Sequence, residues 1–350
     1  MSRGGGSPER VFRRLQVVGR ASYSISLPKR WVLSRGLKPG DLIEVSEAPD
    51  GSLRLTPPEA RLRRSSCRIN ADLCRGGDQL GRLLVAGYRV GYDSVSITTS
   101  RAPVSEMAGA LEKIVSGLPG FELSYEKPSE LAVRNVLDYS RFSADDLVKR
   151  CYLIASEILN NLAHLLERGR YDIIRYVETL RDRLNELCQL HTRLMVAYLR
   201  RRELGRYLKL RSPAHVYSSI AIPILIKGLA DGLLSLVEIV ARFRRKIWAS
   251  PRTYGLVRRT LESLSDHFDR AFNAYLSLDF DQANRILGER AEADLAEELA
   301  RTDLKDKALV EFLSRLDALC RHIHSILREI SQLALDLFME SDSPVCVVGE

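Results

Sequence analysis

Arg13, Arg14, Arg20, Lys29 and Arg30 crowd a short stretch in which no acidic residue occurs between Arg10 and Gly40. The chemistry open to such a cluster is neutralisation of a polyanion. Each Arg or Lys set against a phosphate releases condensed counterions, and Arg also grips guanine edges bidentately. Much further on, Glu178 and Asp182 stand four apart. On a helix that spacing puts both carboxylates on one face, where they hold one hard or borderline cation or lie solvated beside Arg181 and Arg183. No Ser/His/Asp spacing, nucleophile elbow or complete metal-ligand set is present, so an enzyme is not expected. Gly76 and Gly77 precede a helical run without GxxxxGK[ST] or GxGxxG, which favours a plain turn over a phosphate loop.

The charge is unevenly spread. Residues 1–64 carry 13 Lys and Arg against 6 Asp and Glu, whereas the remainder carries 40 against 39. A basic segment of this kind points to nucleic acid first and an anionic membrane surface second. The six cysteines form no CxxC pair and "MSRGGGSPER" has no secretory apolar run, from which we expect free thiols and a cytoplasmic location. "VYSSIAIPILIKGLADGLLSLVEIVARF" is broken by Pro223, Lys227, Asp231 and Glu238 and reads as a buried helix rather than a membrane span.

Positioning these residues requires three kinds of element, so the expected class is α+β and multidomain. Residues 10–57 read as strands "FRRLQVVG" and "ASYSISL", a helix "PKRWVLSRG", a type II turn "KPGD" and a hairpin about Asp50-Gly51. In the second strand Tyr23, Ile25 and Leu27 point one way, and Ser22, Ser24 and Ser26 the other. So short a segment cannot bury a sufficient core alone, and dimerisation is the expected remedy. Residues 65–137 read as a small βαβαββ domain. From Ser143, an N-cap with an acidic first turn after it, helical periodicity runs to about Phe338. Breaks near "RRELGRYLKLRSP" and "RRKIWASPRTYG" divide it into halves, 143–248 and 251–340, which suggests tandem helical bundles.

The segment "RRLQVVGRASYSISLPKRWVLSRGLKPGDLIEVSEAPDGSLRL" resembles the AbrB/SpoVT swapped-hairpin domain. That resemblance implies two chains interlaced into one small barrel that binds double-stranded DNA, with Arg13, Arg20, Lys29 and Arg30, and also Arg14, facing it. A basic dimerisation module that touches no DNA is the alternative on the residues alone.

"LDFDQANRILGERAEADLAEELAR" and "RYDIIRYVETLRDRLNELCQL" are similar to the PhoU family of phosphate-signalling proteins, whose fold is two three-helix bundles. The resemblance implies acidic pairs that, in some members, bind a divalent or ferric metal ion. The matching residues are Glu178 and Asp182, with Asp231 opposite, in the first bundle, and Glu289 and Asp294 in the second, where Cys320 and His324 stand in acidic places. Lys227 and Arg290 depart from the pattern, so a bound cation and internal ion pairs both fit these residues. An AbrB-like head on PhoU-like bundles resembles archaeal phosphate-uptake regulators. The implied function is a dimeric, DNA-binding regulator of phosphate uptake, with the phosphate transporter's ATPase as a further partner. A transporter adaptor whose head only dimerises and an antitoxin-like repressor are the competing readings.

Overall fold

The computed structural model describes residues 11–20, 22–47, 51–56, 65–101, 105–168, 172–289 and 306–341. The chain divides into two units, 1–64 and 65–350.

The first unit holds β1 (Gln16–Val18), β2 (Ser22–Ser24), α1 (Lys29–Ser34), β3 (Glu44–Glu47) and β4 (Leu53–Thr56). β1 pairs antiparallel with β2, Val17 opposite Tyr23, and β3 with β4, Val45 opposite Leu55. The two ribbons are separate sheets. Both N-terminal strands are shorter than expected. None of the described residues 11–56 is buried, so the apolar side chains flanking β1 and β2 have no second layer to hold them in a longer ladder. The expected barrel is therefore not closed within one chain.

The second unit begins with a four-stranded sheet formed by β5 (Ser66–Asn70), β6 (Ser94–Thr98), β7 (Phe121–Lys127) and β8 (Glu130–Asn135), with α2 (Gly77–Arg89) and α3 (Ser105–Ser116) in the crossovers. The order is β5-β6-β8-β7, β5 and β6 being parallel and the other pairs antiparallel. Alternation explains the core: Val95 and Ile97 of β6 and Leu131 and Val133 of β8 meet Leu80, Leu84 and Tyr88 of α2 and Leu111 and Val115 of α3. Gly76 serves as N-cap of α2, an ordinary helix start.

Among the described residues six helices of two turns or more follow the sheet: α4 (Ala144–Arg168), α5 (Asp172–Arg200), α7 (Pro213–Ala249), α8 (Pro251–Ser277), α9 (Phe280–Gly288) and α10 (Lys307–Phe338), with one short turn, α6 (Gly205–Leu208), between α5 and α7. Local chemistry sets their ends. The Ser143 hydroxyl accepts from Asp146 N, Ser212 from His215 N and Ser250 from Thr253 N, and Pro213 and Pro251 take the first helical positions after the last two caps. α4, α5 and α7 pack on one another, and α10 packs on α7, α8 and α9. The apolar core runs from Val148 to Leu337 as one cluster, so the two halves share an interior. α7 is long and apolar enough to cross a membrane by length and composition; half of its most apolar window is buried, with Ile222, Ile226, Leu229 and Leu233 fully enclosed.

Several side chains fasten the sheet domain to the helices, Arg193, Arg200 and Arg201 among them. Arg193 of α5 is fully buried, and donates through Nη1 to Tyr88 O at 2.7 Å and through Nη2 to Tyr92 O at 2.8 Å. Its guanidinium also lies 4.9 Å from the Tyr88 ring centroid and 4.8 Å from that of Phe121. The buried charge meets a carbonyl in the last turn of α2, the negative end of that helix, and one just beyond it, in place of a carboxylate.

Two buried histidines make the body sensitive to acid. Burial pulls His191 down to about 4, and burial, followed by the charge of His324, does the same to His267. The unfolded chain takes up these protons near pH 6.5 but the folded chain refuses them until about pH 4. Stability contributed by the neutral rings is thus present above pH 6.5 and drains away as pH falls through that window. Each ring contributes up to about 3 kcal/mol to the loss. Urea unfolding followed from pH 7.5 to pH 4.5 is expected to show a steep fall in stability; a flat or rising profile contradicts this assignment.

Candidate nucleic-acid interface

The cations of the first unit are displayed by short, sharply turned segments. Arg13 and Arg14 precede β1, and Arg20 sits in the β1–β2 turn next to Gly19, whose φ is +70°. Lys29 and Arg30 open α1, after Pro28 as N-cap. All five are exposed, and none is ion-paired to a carboxylate among the described residues; Arg13 only donates to the carbonyl of Phe12. The first acid after them in sequence is otherwise engaged, since Asp41 accepts from Lys38 N at 2.7 Å. A cluster with no carboxylate partner among the described residues attracts an external polyanion.

What fixes these groups in place is turn geometry. α1 ends in a Schellman motif: Leu37 N bonds Val32 O and Gly36 N bonds Leu33 O, both at 3.1 Å, with Gly36 at φ +66°. Lys38 to Asp41 closes as a type II turn, with Gly40 at φ +94° and Asp41 N on Lys38 O.

Around the cations lies an unusual amount of bare apolar surface. Phe12 is 87% exposed, Val17 71%, Tyr23 69%, Leu42 79% and Leu53 68%, within a unit none of whose described residues is buried. A second layer is missing, and the segment's own residues cannot supply it.

Residues 16–62 match a family model. Its description is "Antidote-toxin recognition MazE, bacterial antitoxin". The head is thus similar to antitoxin domains of the MazE type, which supports the AbrB-like part of the resemblance; the match stops before the sheet domain and the helices. No curated protein and no solved structure matches the chain.

The carboxylates suggested for a cation do not come together. Glu178 and Asp182 are exposed on α5, and Asp182 pairs with Arg181 Nε at 3.1 Å. Asp231 is exposed on α7, as is Lys227 one turn before it. Glu289 is clamped by Arg270 of α8, whose Nη2 reaches Oε2 at 3.0 Å, and this bond holds the Glu289 carboxyl below its usual range. His324 stands edge-on to His267, ring centroids 4.5 Å apart, while His267 Nδ1 is 3.5 Å from Glu289 Oε2. Asp294 lies outside the described residues. Among the described residues no group of three or more His, Cys, Asp or Glu is placed to hold a metal ion. The cation sites expected at Glu178, Asp182, Asp231, Glu289 and His324 therefore gain no support from the described residues. At Glu289 a guanidinium has taken the counterion's place; Glu178 and Asp182 belong to no group of three or more such ligands among the described residues. Spacing along one helix pointed to a face, but His267 and Arg270 come from α8, and only their i,i+3 relation there hinted at a shared role.

Because Gly36 and Gly40 occupy left-handed backbone, Gly36→Ala and Gly40→Ala are each expected to cost about 1 kcal/mol. Hydrogen exchange on the full chain checks this. The amides of Trp31, Val32 and Arg35 should exchange about fivefold faster, and unchanged rates would contradict the geometry.

Proposed function

We propose that the chain is a DNA-binding regulator that acts as a homodimer, its two heads interlacing to complete one small barrel. The observation that carries this reading is the combination of five exposed cations and a head in which, among the described residues, those cations have no carboxylate partner and no side chain is buried. Burying a side chain such as Val17 or Leu53 contributes about 1.5–3 kcal/mol, so several per chain provide a strong drive to associate. Dimerisation doubles the cationic surface in the same step. Under this reading Arg13, Arg20, Lys29 and Arg30, with Arg14, contact phosphates and groove edges, and the helical body receives the signal. The coupling demands that the signal favour one arrangement of the body over another.

A second reading is favoured by the family description itself: the head neutralises a protein toxin, which would cover the same apolar residues. A third, the transporter adaptor, keeps the dimer and drops the DNA. The finer proposal, that the regulated process is phosphate uptake and that the transporter's ATPase is a partner, is supported by the PhoU-like cadence of 171–190 and 278–301.

Affinity for duplex DNA measured against salt separates these readings. The regulator predicts tight retention at low salt and a steep log–log slope of about −0.9 per phosphate neutralised. Replacing Arg13, Arg20, Lys29 and Arg30 together with Gln should flatten that slope by at least about 3. No retention at low salt supports the adaptor, and recovery of a bound toxin-like protein in place of DNA supports the antitoxin. Crosslinking to the genome in phosphate-rich and phosphate-starved cells tests the finer proposal; occupancy indifferent to phosphate contradicts it.

A further inference from the structure

The charge balance of residues 65–350 conceals a second concentration of cations. Between α5 and α7 the chain reads "RRRELGRYLKLR", in which Arg200, Arg201, Arg202, Arg206, Lys209 and Arg211 accompany one acid, Glu203. Two of the six are used internally: Arg201 pairs with Asp93 at 3.5 Å and Arg211 with Asp145 at 3.1 Å. The other four, Arg200, Arg202, Arg206 and Lys209, are exposed, and none pairs with a carboxylate among the described residues.

Three of these four are mounted on aromatic rings. Arg200 lies over Tyr92 with its guanidinium carbon 5.2 Å from the ring centroid, Arg202 over Tyr198 at 4.7 Å and Arg206 over Tyr207 at 4.7 Å. Arg206 also donates through Nη2 to the Tyr207 hydroxyl at 2.8 Å. Stacking fixes the plane of a guanidinium and leaves its N–H edge outward, the presentation that grips a phosphate bidentately. Favourable contact with the C-terminus of α5 accounts for Arg200 at the end of that helix, but Arg206 and Lys209 lie beyond it, in and after α6.

We propose that this arginine–tyrosine surface on the α5–α7 connection is a second phosphate-binding surface, which holds the backbone of duplex DNA without reading its sequence. The identity of the polyanion rests on the DNA-binding reading given above. Fixed guanidinium planes suit the fixed phosphates of a duplex; a fluid lipid surface is served equally well by mobile lysines. Contacts of this kind add affinity and salt dependence but no base preference.

The test uses the full chain, a mixed-sequence duplex and salt from about 50 to 200 mM. The variant Arg200→Gln, Arg202→Gln, Arg206→Gln, Lys209→Gln should lose at least about tenfold in low-salt affinity and about 3 in slope. Arg200→Lys, Arg202→Lys, Arg206→Lys should keep most of the slope, since the charges remain. Should the fourfold variant melt early, the pair Arg206→Gln, Lys209→Gln, outside α5, is expected to lose about half as much slope. Unchanged affinity and slope in a folded variant overturn the proposal; if the head variant still loses DNA, the DNA-binding reading survives. Loss of DNA from the connection variant but not from the head variant supports this surface and overturns the head's role. No retention of DNA by the unaltered chain defeats both. Binding to vesicles rich in phosphatidylserine, lost in the variant while DNA affinity stays unchanged, overturns the nucleic-acid assignment.

Discussion

A folded segment must remove apolar side chains from water, and the first unit of this chain does not do so alone. Its ribbons β1–β2 and β3–β4 are separate sheets, α1 buries nothing, and Phe12, Val17, Tyr23, Leu42 and Leu53 stand in solvent. Isolated two-stranded ribbons are marginal in water. Everything proposed for the five cations depends on how this deficit is met, because Arg20 and Lys29 point in useful directions only if the turns that carry them are held. A second copy meets it without any additional element, and brings a second set of charges. The turn glycines and the Schellman end of α1 then act as rigid mounts on a surface that two chains complete.

The second unit solves the same problem internally. Its sheet buries one face against α2 and α3, and its helices share one core across what reads as two repeats. Arg193 helps tie the two parts by giving Tyr88 O at the end of α2 and Tyr92 O just after it a buried cation. Some charges of this unit are spent on structure: Arg270 on Glu289, Arg211 on Asp145, Lys246 on Asp306. Arg200, Arg202, Arg206 and Lys209 are the exceptions on the α5–α7 connection, and they stand out because their neighbours are paired.

Much of this was legible in residues alone. Serine before proline marks where α7 and α8 begin, the alternation of Val95 and Ile97 marks β6, and the βαβαββ order over the sheet domain follows from where periodicity changes. The head's turns were legible for the same reason, since Gly36, Gly40 and Pro39 permit few conformations. What failed was anything needing a partner from elsewhere. The strand "ASYSISL" shrinks to Ser22–Ser24 because no second layer holds Ile25 and Leu27. Glu178 and Asp182 share a face, as their spacing requires, but spacing cannot say whether other ligands join them, and among the described residues no group of three forms. Arg193 sits on the stripe of Leu190, Leu194 and Ala197, where an apolar residue is expected, and its carbonyl partners lie about a hundred residues away in sequence. Glu289 was picked out as a cation ligand; its counterion, Arg270, comes from the preceding helix.

The most direct test of the account is the molar mass of the full chain in solution, by light scattering over a range of concentrations. Completion of the head by a second copy predicts twice the 39.5 kDa of one chain, held down to dilute protein. A particle of single-chain mass that still retains duplex DNA would contradict it, since a lone head would then be presenting its cations without the core that two copies are required to build.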